Sequence, residues 1–177
     1  AMVALEVAGL VEVRSGSGVY IQANKPANSP VLTDDSPGPI EILEARLHFE
    51  AEAAALAAVR IQPAVLAELR TSLAALSAEN DNSEGRELAD RHFHMLIASA
   101  SGNSAMHSTI SWLWDLRDDS SISQFFHDKL RKAGIKPVIE DHRAIVDAIA
   151  SGKPERARSA MQQHLGRVMD AVLADSE

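Results

Sequence analysis

Four side chains have types and spacings suited to holding one metal ion. Asp90 and His94 lie four residues apart, so on a helix they project about 40° from one another and can share an ion. His142 and His164 form the second pair. Ile139, His142, Val146 and Ile149 follow helical spacing, as do Ala157, Ala160, Met161, His164, Val168 and Ala171, which turns both histidines inward. One carboxylate and three imidazoles suit Zn, Ni, Mn or Fe, and leave positions free if the ion is five- or six-coordinate. A single inward histidine is ordinarily a core residue with hydrogen-bonded ring nitrogens, and that reading predicts no metal. Finding two inward histidines together with an acid–histidine pair is what points to an ion.

The elements that must position these residues are helices. Ser151-Gly152-Lys153-Pro154 reads as a helix stop followed by a start, with Gly suited to the C-terminal turn and Pro to the first turn of the next helix. From Gly152, His142 and His164 lie about 15 and 18 Å away along their helices. They therefore face each other at nearly one height in a helical hairpin. Periodicity and stop signals predict further helices over 40–60, 62–78, 83–101 and 104–121, an irregular piece near Phe125 to Lys132, then helices over 137–150 and 153–174. Asn103 or Ser104 is suited to cap the helix that follows Gly102.

Composition agrees with an all-α fold. Hydrophobic residues make up 46% of the 177-residue chain but aromatics only 4%, so the core must be built from closely packed Ala- and Leu-rich helices. With no cysteine, disulfides and thiolate ligands are excluded. The sequence has neither a membrane-spanning apolar run nor a secretory signal pattern, so the expected setting is cytoplasmic. Seventeen basic against 25 acidic side chains give a formal net charge of −8, which argues against the bulk of the chain docking on a phosphate backbone.

The N-terminal segment differs. Residues 1–9 read as the end of a helix, and Leu10 to Ile21 as a β-hairpin with the tip Ser15-Gly16-Ser17-Gly18. A helix without a start signal, feeding a hairpin too small to stand alone, suggests a piece of a longer chain. The Pro-rich stretch Gln22 to Pro39 reads as a linker. The expected organisation is a remnant over 1–24, a linker over 25–38 and the helical domain over 39–177.

The run Gly9-Leu10-Val11-Glu12 with Gly16-Ser17-Gly18-Val19-Tyr20-Ile21 resembles the wing of the winged helix-turn-helix in GntR-family bacterial transcription regulators. The helical part resembles their FadR-like, FCD-type C-terminal domain through Glu44-Ala45-Arg46 with Glu50, Asp90-Arg91-His92-Phe93-His94, Ser101-Gly102-Asn103, Asp141-His142-Arg143 and Met161-Gln162-Gln163-His164-Leu165. The resemblance covers nearly the whole chain. Its most specific part is the Asp-x-x-x-His motif followed by two later histidines.

The resemblance implies an antiparallel bundle of six to seven helices that binds a divalent metal, Zn or Ni above others, through Asp90, His94, His142 and His164. It also implies homodimerisation, a small carboxylate effector contacted by Arg46, and operator DNA as a partner of the intact protein only. Arg46 has its own rationale: an inward guanidinium offers a bidentate fork to a carboxylate, whereas a surface Arg46 would pair with Glu50 at i+4. Arg14 and Ser15 could touch phosphate in an intact wing, although such motifs rely chiefly on a basic helix in the major groove. Two alternatives remain: a metal-dependent hydrolase, with Asp141 or His107 as candidate base, and a metal-free dimerisation bundle. His48, His92, His107 and His127 are expected to be solvated or locally hydrogen-bonded.

Overall fold

The computed structural model describes residues 11–14, 18–21, 37–81 and 87–174. The helical segment expected over 1–9, Ser15 and the linker up to residue 36 lie outside these residues. Strands β1 (Val11–Arg14) and β2 (Gly18–Ile21) pair antiparallel with Val11 opposite Ile21 and Arg14 opposite Gly18, the expected hairpin. Seven helices follow among the described residues: α1 (Pro39–Arg60), α2 (Pro63–Asp81), α3 (Leu88–Ala100), α4 (Ser104–Asp119), α5 (Ser121–Lys132), α6 (Ile139–Ala150) and α7 (Pro154–Ala174).

Helix α1 is the axis of the bundle. Ala51, Ala53, Ala54, Ala55, Ala57 and Ala58 are all buried, so this helix is covered on several faces and not along a single stripe. It packs most extensively on α7 and also meets α3, α4 and α6. Alanine lets these neighbours approach closely. Leu69, Leu76, Phe93, Ile97, Ile145, Ile149, Met161 and Leu165 fill the layer around it, each large side chain contributing about 1.5–3 kcal/mol on burial. Enlarging one of the central alanines would overpack the axis at about 1–3 kcal/mol.

The α6–α7 connection follows its sequence signals. Ile149 accepts from the Gly152 amide at 3.0 Å, and Gly152 has a φ of 65°, a left-handed conformation that favours glycine. Asn103 caps α4 by accepting from the amides of Ala105 and Met106.

Two expectations need correction. Phe125 to Lys132 belongs to a regular helix, α5, whose N-terminus is capped by Ser120. The polar composition disguises a stripe at i, i+4 and i+8: Ile122, Phe126 and Leu130, which packs with Leu43, Val168 and Val172. The helix expected over 83–101 does not include Glu87, whose φ of 55° lies outside the helical region; α3 begins at Leu88, and residues 83–86 lie outside the described residues.

Candidate metal centre

Helix α3 carries Asp90 and His94 on one face, α6 carries His142 and α7 carries His164. All four are buried, with fractional exposures of 8%, 1%, 0% and 3% respectively. One potential ligand atom from each lies within 4.8 Å of the others. Donors about 2.1 Å from a common ion lie up to roughly 4.2 Å apart, so a small inward movement gathers the set. The rings of His142 and His164 are 4.4 Å apart between centroids, which is the facing arrangement expected of the hairpin.

Hydrogen bonding aims the nitrogens. Glu50 of α1 contacts His94 Nδ1; its ionised carboxylate can only accept, so Nδ1 carries the hydrogen and Nε2 the lone pair. That Nε2 is buried, has no hydrogen-bond partner and faces Asp90 Oδ1 at 3.8 Å. His142 Nδ1 donates to the Val138 carbonyl at 2.8 Å, which leaves Nε2 2.8 Å from Asp90 Oδ1. In a neutral ring this would oppose two acceptors. A proton between them, or a cation in its place, satisfies both. Unpartnered buried nitrogen is costly, and carboxylate-oriented imidazoles are the usual second layer of a metal site.

The electrostatics point the same way. Burial alone would raise the Glu50 pKa, but Arg46 and His94 lower it to about 2. Burial also works against ionised Asp90, but the hydrogen bond with His142 and the electrostatic pull of the surrounding His94, His142 and His164 rings overcome it, holding the carboxyl below its usual range. For His142, burial lowers the pKa, but the bond to Asp90 prevails and raises it. His164 is pushed down to about 4 by burial, against the pull of Asp141 and with the push of His142 and His94. At neutral pH it is therefore the uncharged ring a metal requires. Its Nδ1 stands 3.9 Å from Asp141 Oδ2, an electrostatic contact beyond hydrogen-bond range.

Asp90 and His164 also line a cavity of about 90 Å³, together with Arg46, Arg117, His127 and Arg167. This is several times the roughly 10–15 Å³ needed to hold one water, enough for a few waters or a short organic acid. Arg46 is buried and does two things at once: its Nε donates to Glu50 at 2.7 Å, and it lines the cavity. The surface version of its i+4 pair is therefore replaced by a buried one. Its guanidinium lies 3.8 Å from the Trp114 ring centroid, and that of Arg117 lies 5.0 Å from it, both within cation–π range.

Several neighbours of the site were not assigned to it by sequence reasoning. Glu50 carried a signal, since an inward Arg46 brings its i+4 partner inward with it. Trp114, which packs against Arg46, is fully buried. His127 was expected to be locally hydrogen-bonded; it accepts from Arg117 Nε at 3.1 Å and also lines the cavity. Asp141, a candidate hydrolytic base, is committed to Arg167 Nη2 at 2.8 Å. His107 lies half-buried on α4, and His48 and His92 are exposed. Arg14 sits in β1.

The FCD domain profile matches residues 41–167. The "Uxu operon transcriptional regulator" of Escherichia coli is 30% identical over 180 residues, covering 98% of this chain and 70% of that protein. The "HTH-type transcriptional regulator LutR" of Bacillus subtilis is 29% identical, covering 97% and 81%. The "Exu regulon transcriptional regulator" of Escherichia coli is 28% identical, covering 93% of this chain; the chain spans 65% of that relative's length. Among solved structures, "Streptococcus agalactiae GntR" superposes with a TM-score of 0.61 at 28% identity, covering 94% of this chain and 77% of that one. Regulators, and no enzymes, stand among these relatives.

Proposed function

Because this chain belongs to the FCD-domain family of GntR-type transcription regulators, we propose that residues 39–177 form an effector-sensing and dimerisation domain in which Asp90, His94, His142 and His164 hold a divalent ion, Zn or Ni. The observation that carries this reading is the unpartnered, buried Nε2 of His94, aimed at three other potential ligands by Glu50. Residues 1–24 are the wing end of a DNA-binding domain, with Arg14 and Ser15 near phosphate, and 25–38 the linker. No described helix is long and apolar enough to cross a membrane, in keeping with a cytoplasmic regulator.

A divalent ion bound there supplies a Lewis-acidic position at the cavity wall for one oxygen of a small carboxylate. Arg46 supplies the second anchor, because its Nε is fixed by Glu50 and its flat face by Trp114, leaving the terminal nitrogens toward the cavity. The effector then connects α1, α3, α6 and α7. In the intact homodimer, a preference of ~1–3 kcal/mol for one arrangement of the paired domains would shift operator affinity about five- to hundredfold. The test is a DNA-binding titration of the intact regulator: His142→Ala should abolish the effector response while the protein stays folded, and an unchanged response sinks the proposal.

A further inference from the structure

We infer that the cavity takes an acid with two anionic groups, and that Glu87 occupies the place of the second. This rests on the reading that a carboxylate binds beside the metal, and it specifies which kind. Glu87 is the one non-glycine with positive φ among the described residues, a conformation that carries strain for a residue with a Cβ and recurs at ligand clamps and switches. It stands at the N-cap of α3, yet its side chain makes no capping bond. Glu79 of α2 caps that helix instead, accepting from Leu88 N at 2.8 Å and Ala89 N at 2.9 Å.

Released from capping, the Glu87 carboxylate turns into the cavity wall. There it contacts Arg117 Nη2 and lies 3.6 Å from Arg131 Nη1 and 3.9 Å from His127 Nδ1. This is a ready-made anion cradle with a tethered anion in it. Arg117 shares the Trp114 ring with Arg46, so the cradle is one indole away from the guanidinium assigned to the first carboxylate. Leu130, Ile135 and Val138 line the same cavity and suit a short methylene chain. A diacid of about four carbons would place one carboxylate at the metal and Arg46 and the other on Arg117 and Arg131, displacing Glu87. Since Glu87 lies three residues before Asp90, that displacement acts on the start of the helix that carries the metal site.

An internal anion that occupies the cradle lowers the apparent affinity of a competing one by the fraction of time the cradle is free. Removing it should therefore favour the diacid selectively. The experiment is calorimetric titration of the zinc-loaded chain with propionate and with succinate, which differ by one carboxylate, in wild type, Glu87→Gln and Glu87→Gly. Glycine adopts the left-handed conformation without strain, so the second variant remains foldable, and a thermal melt checks it. The expected result is a rise of about tenfold or more in the succinate-to-propionate affinity ratio in both variants. A ratio that stays constant or falls, with propionate still binding, overturns the dianion assignment alone. Failure of both acids to bind any of the three proteins overturns the effector reading beneath it.

Discussion

Glu50 and His94, 44 residues apart in sequence, meet in the bundle core, where the carboxylate takes the imidazole Nδ1 and leaves Nε2 without a protein partner. The same carboxylate accepts from Arg46 at 2.7 Å. One acid of α1 thus joins the proposed metal-binding face to the proposed effector-binding face.

Glu50→Gln should preserve the shape of this junction while removing its charge. Orienting partners of metal-bound histidines are typically worth 10–100-fold in affinity. We expect a loss of about that size in a competition titration against a chromophoric chelator. An unchanged zinc affinity would mean that Glu50 serves Arg46 alone.

Arg46→Ala should weaken carboxylate binding by about tenfold or more, consistent with loss of a charge-assisted hydrogen bond. Zinc should remain bound, with affinity lowered less than in Glu50→Gln. A variant that loses its metal outright would make Arg46 a structural residue. Arg46→Lys should recover part of the binding, because charge returns without the planar fork.

Trp114 provides an optical readout. It is fully buried beneath Arg46, whereas Trp112 is 57% exposed, so Trp112→Phe isolates the interior indole. Carboxylate binding that draws on Arg46 should alter Trp114 emission in that variant. A saturable binding isotherm by calorimetry with no emission change would place the ligand elsewhere.

The metal-free protein should lose stability on acidification. His164 and His127 are held near 4 and 3 against an ordinary 6.5, both chiefly by burial, so between those values the unfolded chain binds more protons and stability falls as pH falls. His142, with a raised pKa, is protonated in both states in that window and contributes in the opposite sense only above 6.5. Glu50, lowered to about 2, adds a further loss between 4.5 and 2. Urea midpoints in chelator should therefore drop from pH 6.5 to 4. Constant or rising midpoints would contradict the neutral, buried His164.

The sequence made the Asp90–His94 and His142–His164 clustering and the helical hairpin legible because both depend on local spacing: four residues on one helix, and a Gly-Lys-Pro turn between two others. The Glu50–His94 and Glu87–Arg117 contacts join helices distant in the chain, and no local period encodes them. Asp141 is buried and pairs with Arg167 of the next helix, a further contact between helices that local spacing does not encode. Helix α5 was hidden because its apolar stripe is only three residues wide in a polar stretch. In Glu87, backbone conformation overrode helical periodicity.

The central claim is tested most directly by elemental analysis of the chain purified without chelator or histidine tag, beside a His142→Ala, His164→Ala control. The account predicts one divalent ion per chain, lost in the control. No ion, even after incubation with zinc and nickel salts, would contradict it and leave a helical dimerisation domain with core histidines.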